Sequence, residues 1–168
     1  MAPSSITRGF FRVLPAAAVA WAGLVVAAPW LASVSPRGGG GLYLSAAAYW
    51  VGGLVCHQRP DRSFHLAGGQ LPVCARCTGL YVSAALGVVL VWFRARPGRA
   101  LPFAAWRKRL VLAALPTVAT LAVEWWRPAA ASGLVRAIAA VPLGAMAGVL
   151  LAESVAFRSR LTRCERTR

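Results

Sequence analysis

Long apolar runs separated by short polar stretches set the pattern of this chain. Four of them approach the roughly 20 residues that a membrane-crossing helix needs: Val13 to Val34, Thr78 to Phe93, Leu110 to Trp126 and Leu134 to Phe157. A fifth run, Leu42 to Val55, is too short for a firm span and predicts a re-entrant or fifth helix. The expected fold is therefore all-α, an integral membrane protein of four transmembrane helices plus one short helix, with residues 1–168 forming a single membrane domain. Pro29, Pro116 and Pro142 fall inside apolar runs, where a kink is tolerated. Gly144-x-x-x-Gly148, and Gly79, Ser83 and Gly87 at four-residue intervals, predict close helix contacts, either within the chain or in a homo-oligomer. Trp30 and Trp125-Trp126 mark one predicted end of the spans, and Trp92, Phe93 and Trp106 the other. Trp21 sits mid-span and is expected in the core.

Composition agrees: 58% hydrophobic and 14% charged residues exclude an ordinary soluble domain. The net charge of +15 changes the picture further. Nucleic-acid binders gather such charge on a soluble face, whereas apolar runs separate the basic clusters here, so nucleic acid is not an expected partner and the lipid bilayer is. The clusters are Arg8 with Arg12, six cations from Arg94 to Arg109, and five from Arg158 to Arg168. Four spans put all three on one side. Because basic clusters stay cytoplasmic, both termini are expected inside the plasma (inner) membrane of a prokaryote, with residues 35–77 outside. That outer segment comprises a glycine-rich hinge from Ser35 to Gly41, the short helix and a Cys/His loop. If Leu42 to Val55 spans, the N-terminus moves outside but the loop from Cys56 to Cys77 stays there. A signal peptide is the alternative reading of the first run; its length and the topology favour a retained helix.

The loop carries the candidate chemistry. It reads Cys56-His57-Gln58-Arg59-Pro60-Asp61-Arg62-Ser63-Phe64-His65, then Leu71-Pro72-Val73-Cys74-Ala75-Arg76-Cys77-Thr78-Gly79-Leu80-Tyr81. Both histidines of the chain and three of its four cysteines lie in it. Cys74-x-x-Cys77 can grip one ion with two thiolates, and Cys56 with His57 or His65 can complete a tetrahedral N/S set, which suits zinc or another thiophilic metal. Thr78 after the second cysteine excludes c-type haem attachment. Two other readings stay open. Cys74 and Cys77 lie just before a predicted helix and flank Arg76, a setting that favours thiolate and a redox pair. This arrangement is similar to the quinone-linked disulfide-forming membrane enzymes and the vitamin K epoxide reductase group, which implies a quinone as electron acceptor near Tyr81 and Arg136. Those enzymes use two cysteine pairs, and only Cys56 is left outside as a third thiol. The remaining reading is a structural disulfide stapling the loop of a permease-like or scaffold protein. Cys164 is expected to be an inert thiol in the cytoplasmic tail.

In the metal reading Arg62 and Arg76 offset thiolate charge, and Gln58 and Ser63 support the ligands by hydrogen bonds. Glu124 and Arg136 are ionisable groups inside apolar runs and are expected to face one another across the short Arg127 to Gly133 connection. Glu153 is expected near the inner face beside Arg158.

The residues Cys56-His57-Gln58, Arg62-Ser63-Phe64, Pro72-Val73-Cys74, Arg76, Cys77, Gly79 and Tyr81 resemble the hallmark of a prokaryotic membrane-protein family catalogued as domain of unknown function 2085. Ser132 and Arg136 look like a second element of that family. The resemblance implies a multi-span membrane protein with no established activity. His65 is outside the hallmark, so the resemblance favours Cys56, His57, Cys74 and Cys77 as ligands, with His65 as an additional candidate. The family's later helix carries an acidic residue followed by Gly and Gln, whereas this chain has Glu124-Trp125-Trp126.

Overall fold

The computed structural model describes the backbone of residues 5–35, 39–94, 103–127 and 131–164, and the side chains of 13–35, 39–94, 105–127 and 131–155. Five helices dominate: α1 (Ser5–Val34), α2 (Gly40–Val55), α3 (Ala75–Phe93), α4 (Phe103–Trp126) and α5 (Gly133–Cys164). Four contain windows long and apolar enough to cross a bilayer, namely Val13–Val34, Ala75–Phe93, Ala105–Trp126 and Gly133–Val155. The protein is thus a helical multi-pass membrane protein. The side chains of the basic clusters at Arg8, Arg12 and Arg158 onward, and of Cys164, lie outside the described residues, as does the Glu153–Arg158 pairing.

Small residues decide which helices touch. A Cβ on Gly79 would collide with the Ala137 carbonyl, one on Gly87 with that of Ala145, and one on Gly148 with that of Ala84. Gly144 meets Leu80 and Ser83 in the same way. These obstacles are mostly backbone, which cannot step aside, so α3 and α5 form the most extensive helix pair because both present glycine at the crossing. The small-residue faces named as a route to a homo-oligomer are therefore occupied within the chain.

Below this crossing, Val88, Val91 and Ala152 form a buried cluster against Leu14, Ala18 and Val149. Thr117 Oγ1 donates to the Ala139 carbonyl at 2.8 Å and ties α4 to α5. The other face of α4 exposes Val111, Leu112, Leu115, Val118 and Leu121, which in a bilayer is a lipid-facing surface. Trp21 is half-buried and packs edge-on against Tyr81, with 6.0 Å between ring centroids.

The short helix α2 has 16 residues and rises about 24 Å, less than the hydrocarbon thickness. It lies against α1, where Ser45 Oγ donates to the Ala28 carbonyl at 2.8 Å. Between α2 and α3 the chain makes a single 3-10 turn, Pro60–Arg62, and a small antiparallel hairpin that the hydrophobic pattern does not announce. Its strands β1 (His65–Leu66) and β2 (Gly69–Gln70) are joined by Ala67 and Gly68. Both turn residues have left-handed φ, 51° and 80°, as a two-residue hairpin turn requires.

Two spans start earlier than their apolar runs. Helix α3 includes Ala75, Arg76 and Cys77 because Arg76 finds a carboxylate partner inside the bundle and so can sit within a helix end. Helix α4 takes in Trp106 to Arg109, whose exposed basic residues can reach the membrane surface from the helix end.

Candidate functional site

Three segments that meet at one end of the bundle build the site. Helix α2 stops at Cys56, whose extended backbone turns the chain away while its N–H still bonds the Gly52 carbonyl. Gln58 then adopts a left-handed φ of 48°. Its Nε2 donates to the carbonyls of Tyr49 and Pro72, at 2.7 and 2.8 Å, and its own carbonyl accepts from Gln70 Nε2 at 3.0 Å. Gln58 thus locks the Cys56 segment to the Cys74 segment through main-chain bonds, a different task from supporting ligands directly. Gly52 permits this approach, since a Cβ there would strike the Pro72 carbonyl. Ser63 also bonds backbone, donating to the Arg59 carbonyl at 2.9 Å.

Cys74 is the N-cap of α3 and Cys77 lies in its first turn, so both sit on the helix end rather than before it. The Cys74 N–H donates to Cys56 Sγ at 3.2 Å. As a result the sulfurs of Cys56, Cys74 and Cys77 all lie within 4.8 Å of one another. All three are free, half-buried thiols. Thiolates held about 2.3 Å from one tetrahedral ion are about 3.8 Å apart, so a small inward movement closes the set.

The histidines are placed differently from the cysteines. Neither His57 nor His65 contributes a ring nitrogen to the group of clustered ligand atoms. His57 is exposed but lines the cavity beside the thiols, and His65 is exposed on β1. The spacing of the thiols was visible in sequence; among the described residues no fourth protein ligand joins the group.

A hydrogen bond from the Cys77 thiol, opposed by burial and aided by the backbone N–H groups of Cys77 and Arg76 and by Cys56, lowers the Cys74 pKa to about 5. The helix N-terminus acts in the same direction. Cys74 is therefore expected to be mostly thiolate at pH 6 in reduced, metal-free protein, where an ordinary thiol is protonated. Iodoacetamide at that pH should modify Cys74 faster than it modifies free cysteine; labelling of Cys74 no faster than that of free cysteine would contradict this.

Behind the thiols lies an ion cluster that spans three helices. Glu124 Oε1 accepts from Arg76 Nη2 at 2.9 Å and from Arg136 Nε at 3.0 Å. Arg76 Nη2 also reaches Thr120 Oγ1 at 3.3 Å. The Glu124–Arg136 contact matches the expectation drawn from the apolar runs. Arg76 as a second partner of Glu124, and Thr120 as its support, were not legible, because 48 residues separate Arg76 from Glu124. Ser132 assists locally, its Oγ accepting from the Val135 N–H at 3.3 Å where α5 starts.

A cavity of about 410 Å³ opens beside the three sulfurs. Its wall includes His57 and four arginines, Arg59, Arg62, Arg76 and Arg136. Three of these arginines, Arg59, Arg62 and Arg76, lie between Cys56 and Cys77 in the sequence, and Arg136 joins them from α5.

The fold and site together define a multi-pass helical membrane protein with a three-cysteine cluster at one end of its bundle. The chain belongs to the predicted membrane protein family DUF2085, whose profile matches residues 56–150, beginning at Cys56. It is 36% identical over 66 residues to an uncharacterized protein of Methanocaldococcus jannaschii, covering 39% of this chain and 42% of that one. It is 50% identical over 30 residues to an uncharacterized protein of Methanothermobacter thermautotrophicus, covering 18% of this chain and 27% of that one. The matches thus span less than half the length of either relative. No solved structure gives a significant match.

Proposed function

We propose that this is a metal-binding membrane protein whose Cys56, Cys74 and Cys77 hold zinc or another thiophilic ion at the extracytoplasmic end of the bundle. The observation that carries the reading is the convergence of three sulfurs from two separate segments to within 4.8 Å. Three thiolates favour a soft or borderline ion, and three protein ligands leave one coordination position for His57, water or an exogenous group. Arg62 and Arg76 line the same cavity as the three cysteines and can offset thiolate charge, and Tyr81 follows Cys77 by one helical turn. The extracytoplasmic placement of residues 35–77 rests on the positive-inside rule. A membrane-impermeant maleimide should then label the loop cysteines of intact spheroplasts, and labelling only after lysis would contradict that orientation.

Cobalt(II) titration of reduced, metal-free protein tests the metal reading directly. The expected result is a thiolate-to-cobalt charge-transfer absorption that zinc displaces and that Cys74→Ser/Cys77→Ser lacks. Absence of that absorption in the native chain would overturn the reading.

The lowered pKa of Cys74 favours a second reading, in which Cys74 and Cys77 cycle between dithiol and disulfide. Oxidation of the Cys74 thiolate and the Cys77 thiol to a disulfide releases two electrons and one proton, and a quinone takes these up with a second proton from water to become quinol.

A further inference from the structure

We propose that the arginine-lined cavity beside the thiols is a binding site for a phosphate-class oxyanion, contacted by Arg62 and Arg76. The proposal stands on the arginines and holds whether or not the thiols carry metal.

Charge is the first ground. Four guanidinium groups line the cavity, and two carboxylates face them: exposed Asp61, beside Arg59 and Arg62, and buried Glu124, shared by Arg76 and Arg136. Among the described residues the cavity thus has two more guanidinium groups than carboxylates. A divalent ion with three thiolates would carry one negative charge and cancel only part of that excess. Arg76 and Arg136 have side chains only 18% and 7% exposed, a setting in which unbalanced charge is costly.

Hydrogen bonding is the second ground. The buried Nε atoms of Arg62 and Arg76 have no hydrogen-bond acceptor among the described residues, the Asp61 carboxylate lying 3.7 Å from Arg62 Nε, beyond hydrogen-bonding distance; Glu124 Oε2 is the third buried polar atom without a hydrogen bond. Buried donors nearly always have one, so these two N–H groups, both on arginines that line the cavity, call for an acceptor there. Planar guanidinium forks match the oxygens of phosphate better than any other cationic side chain.

Position narrows the source. Cys74 caps the span Ala75–Phe93, Arg136 lies in the first turn of Gly133–Val155, and Glu124 lies near the end of Ala105–Trp126. The cavity therefore sits where three spans end, at the depth of lipid headgroups. A lipid phosphodiester and a free phosphate ion offer the same oxygens there.

Calorimetric titration of the delipidated protein in maltoside micelles, first with inorganic phosphate and then with dihexanoyl phosphatidylglycerol, separates the two sources. Arg62 is partly exposed and its nearest carboxylate, 3.7 Å away, is beyond hydrogen-bonding distance, so Arg62→Gln is expected to leave helicity unchanged. It should weaken binding by about tenfold or more, with Arg62→Lys retaining part of the affinity. Binding of inorganic phosphate would assign a free ion, and binding of the lipid alone a headgroup. Equal affinity in native and Arg62→Gln protein, or no binding of either ligand, would overturn the proposal. Metal per chain, measured on the native sample alone, reports the thiol reading, so its failure is visible separately from a failure to bind phosphate or lipid.

Discussion

Replacing Glu124 with glutamine is expected to cost about 3–5 kcal/mol of stability, among the largest effects of any single substitution in this chain. Glu124 is 5% exposed, and its Oε1 receives hydrogen bonds from both Arg76 and Arg136. An amide preserves the shape and one acceptor oxygen but leaves two guanidinium charges facing each other at the end of the bundle. Thermal unfolding in detergent should show the loss. The double variant Glu124→Gln/Arg76→Gln should recover part of it, because one of the stranded charges is gone. If the single variant unfolds with the native protein, the cluster contributes nothing to holding α3, α4 and α5 together.

The second large effect concerns Cys56. It lies 18 residues before Cys74 and reaches the other thiols only because Gln58 and Gly52 bring the end of α2 against the Pro72 segment. Cys56→Ser is expected to lower metal affinity by about tenfold or more, since a neutral hydroxyl is a poor ligand for a thiophilic ion. The same variant separates the two readings of the site. A Cys74–Cys77 redox couple keeps both its sulfurs and should still oxidise and reduce, as a thiol titration before and after oxidant would report. Unchanged metal affinity in Cys56→Ser would remove Cys56 from the ligand set.

Much of the fold was legible because a bilayer imposes a simple demand, a continuous apolar stretch of spanning length, which four runs satisfy. The boundaries at Ala75 and Ala105 were not legible. Whether Arg76 ends a span or enters it depends on Glu124, a partner on another helix. The hairpin at His65 to Gln70 escaped for a different reason. It is held by a two-residue turn at Ala67-Gly68 and by contacts with α1 and α2, including the Tyr49 hydroxyl on the Gln70 carbonyl, and none of these has a hydrophobic period.

Within the site, cysteine spacing pointed to the three thiols that converge, because Cys74 caps α3, Cys77 lies in its first turn and Cys56 ends the preceding helix. Spacing could not place the histidines. His57 follows Cys56 directly, and the extended backbone at Cys56 leaves it exposed at the cavity rim while the sulfur points to its partners. Gln58 looked like a polar helper of the ligands, yet it braces the backbone that carries them.

The most direct test of the central claim is elemental mass spectrometry of protein purified anaerobically under reducing conditions, beside the Cys74→Ser/Cys77→Ser variant. A three-thiolate site predicts about one thiophilic ion per chain, lost in the variant. A native chain with no bound metal, or with metal that survives loss of both cysteines, would contradict it.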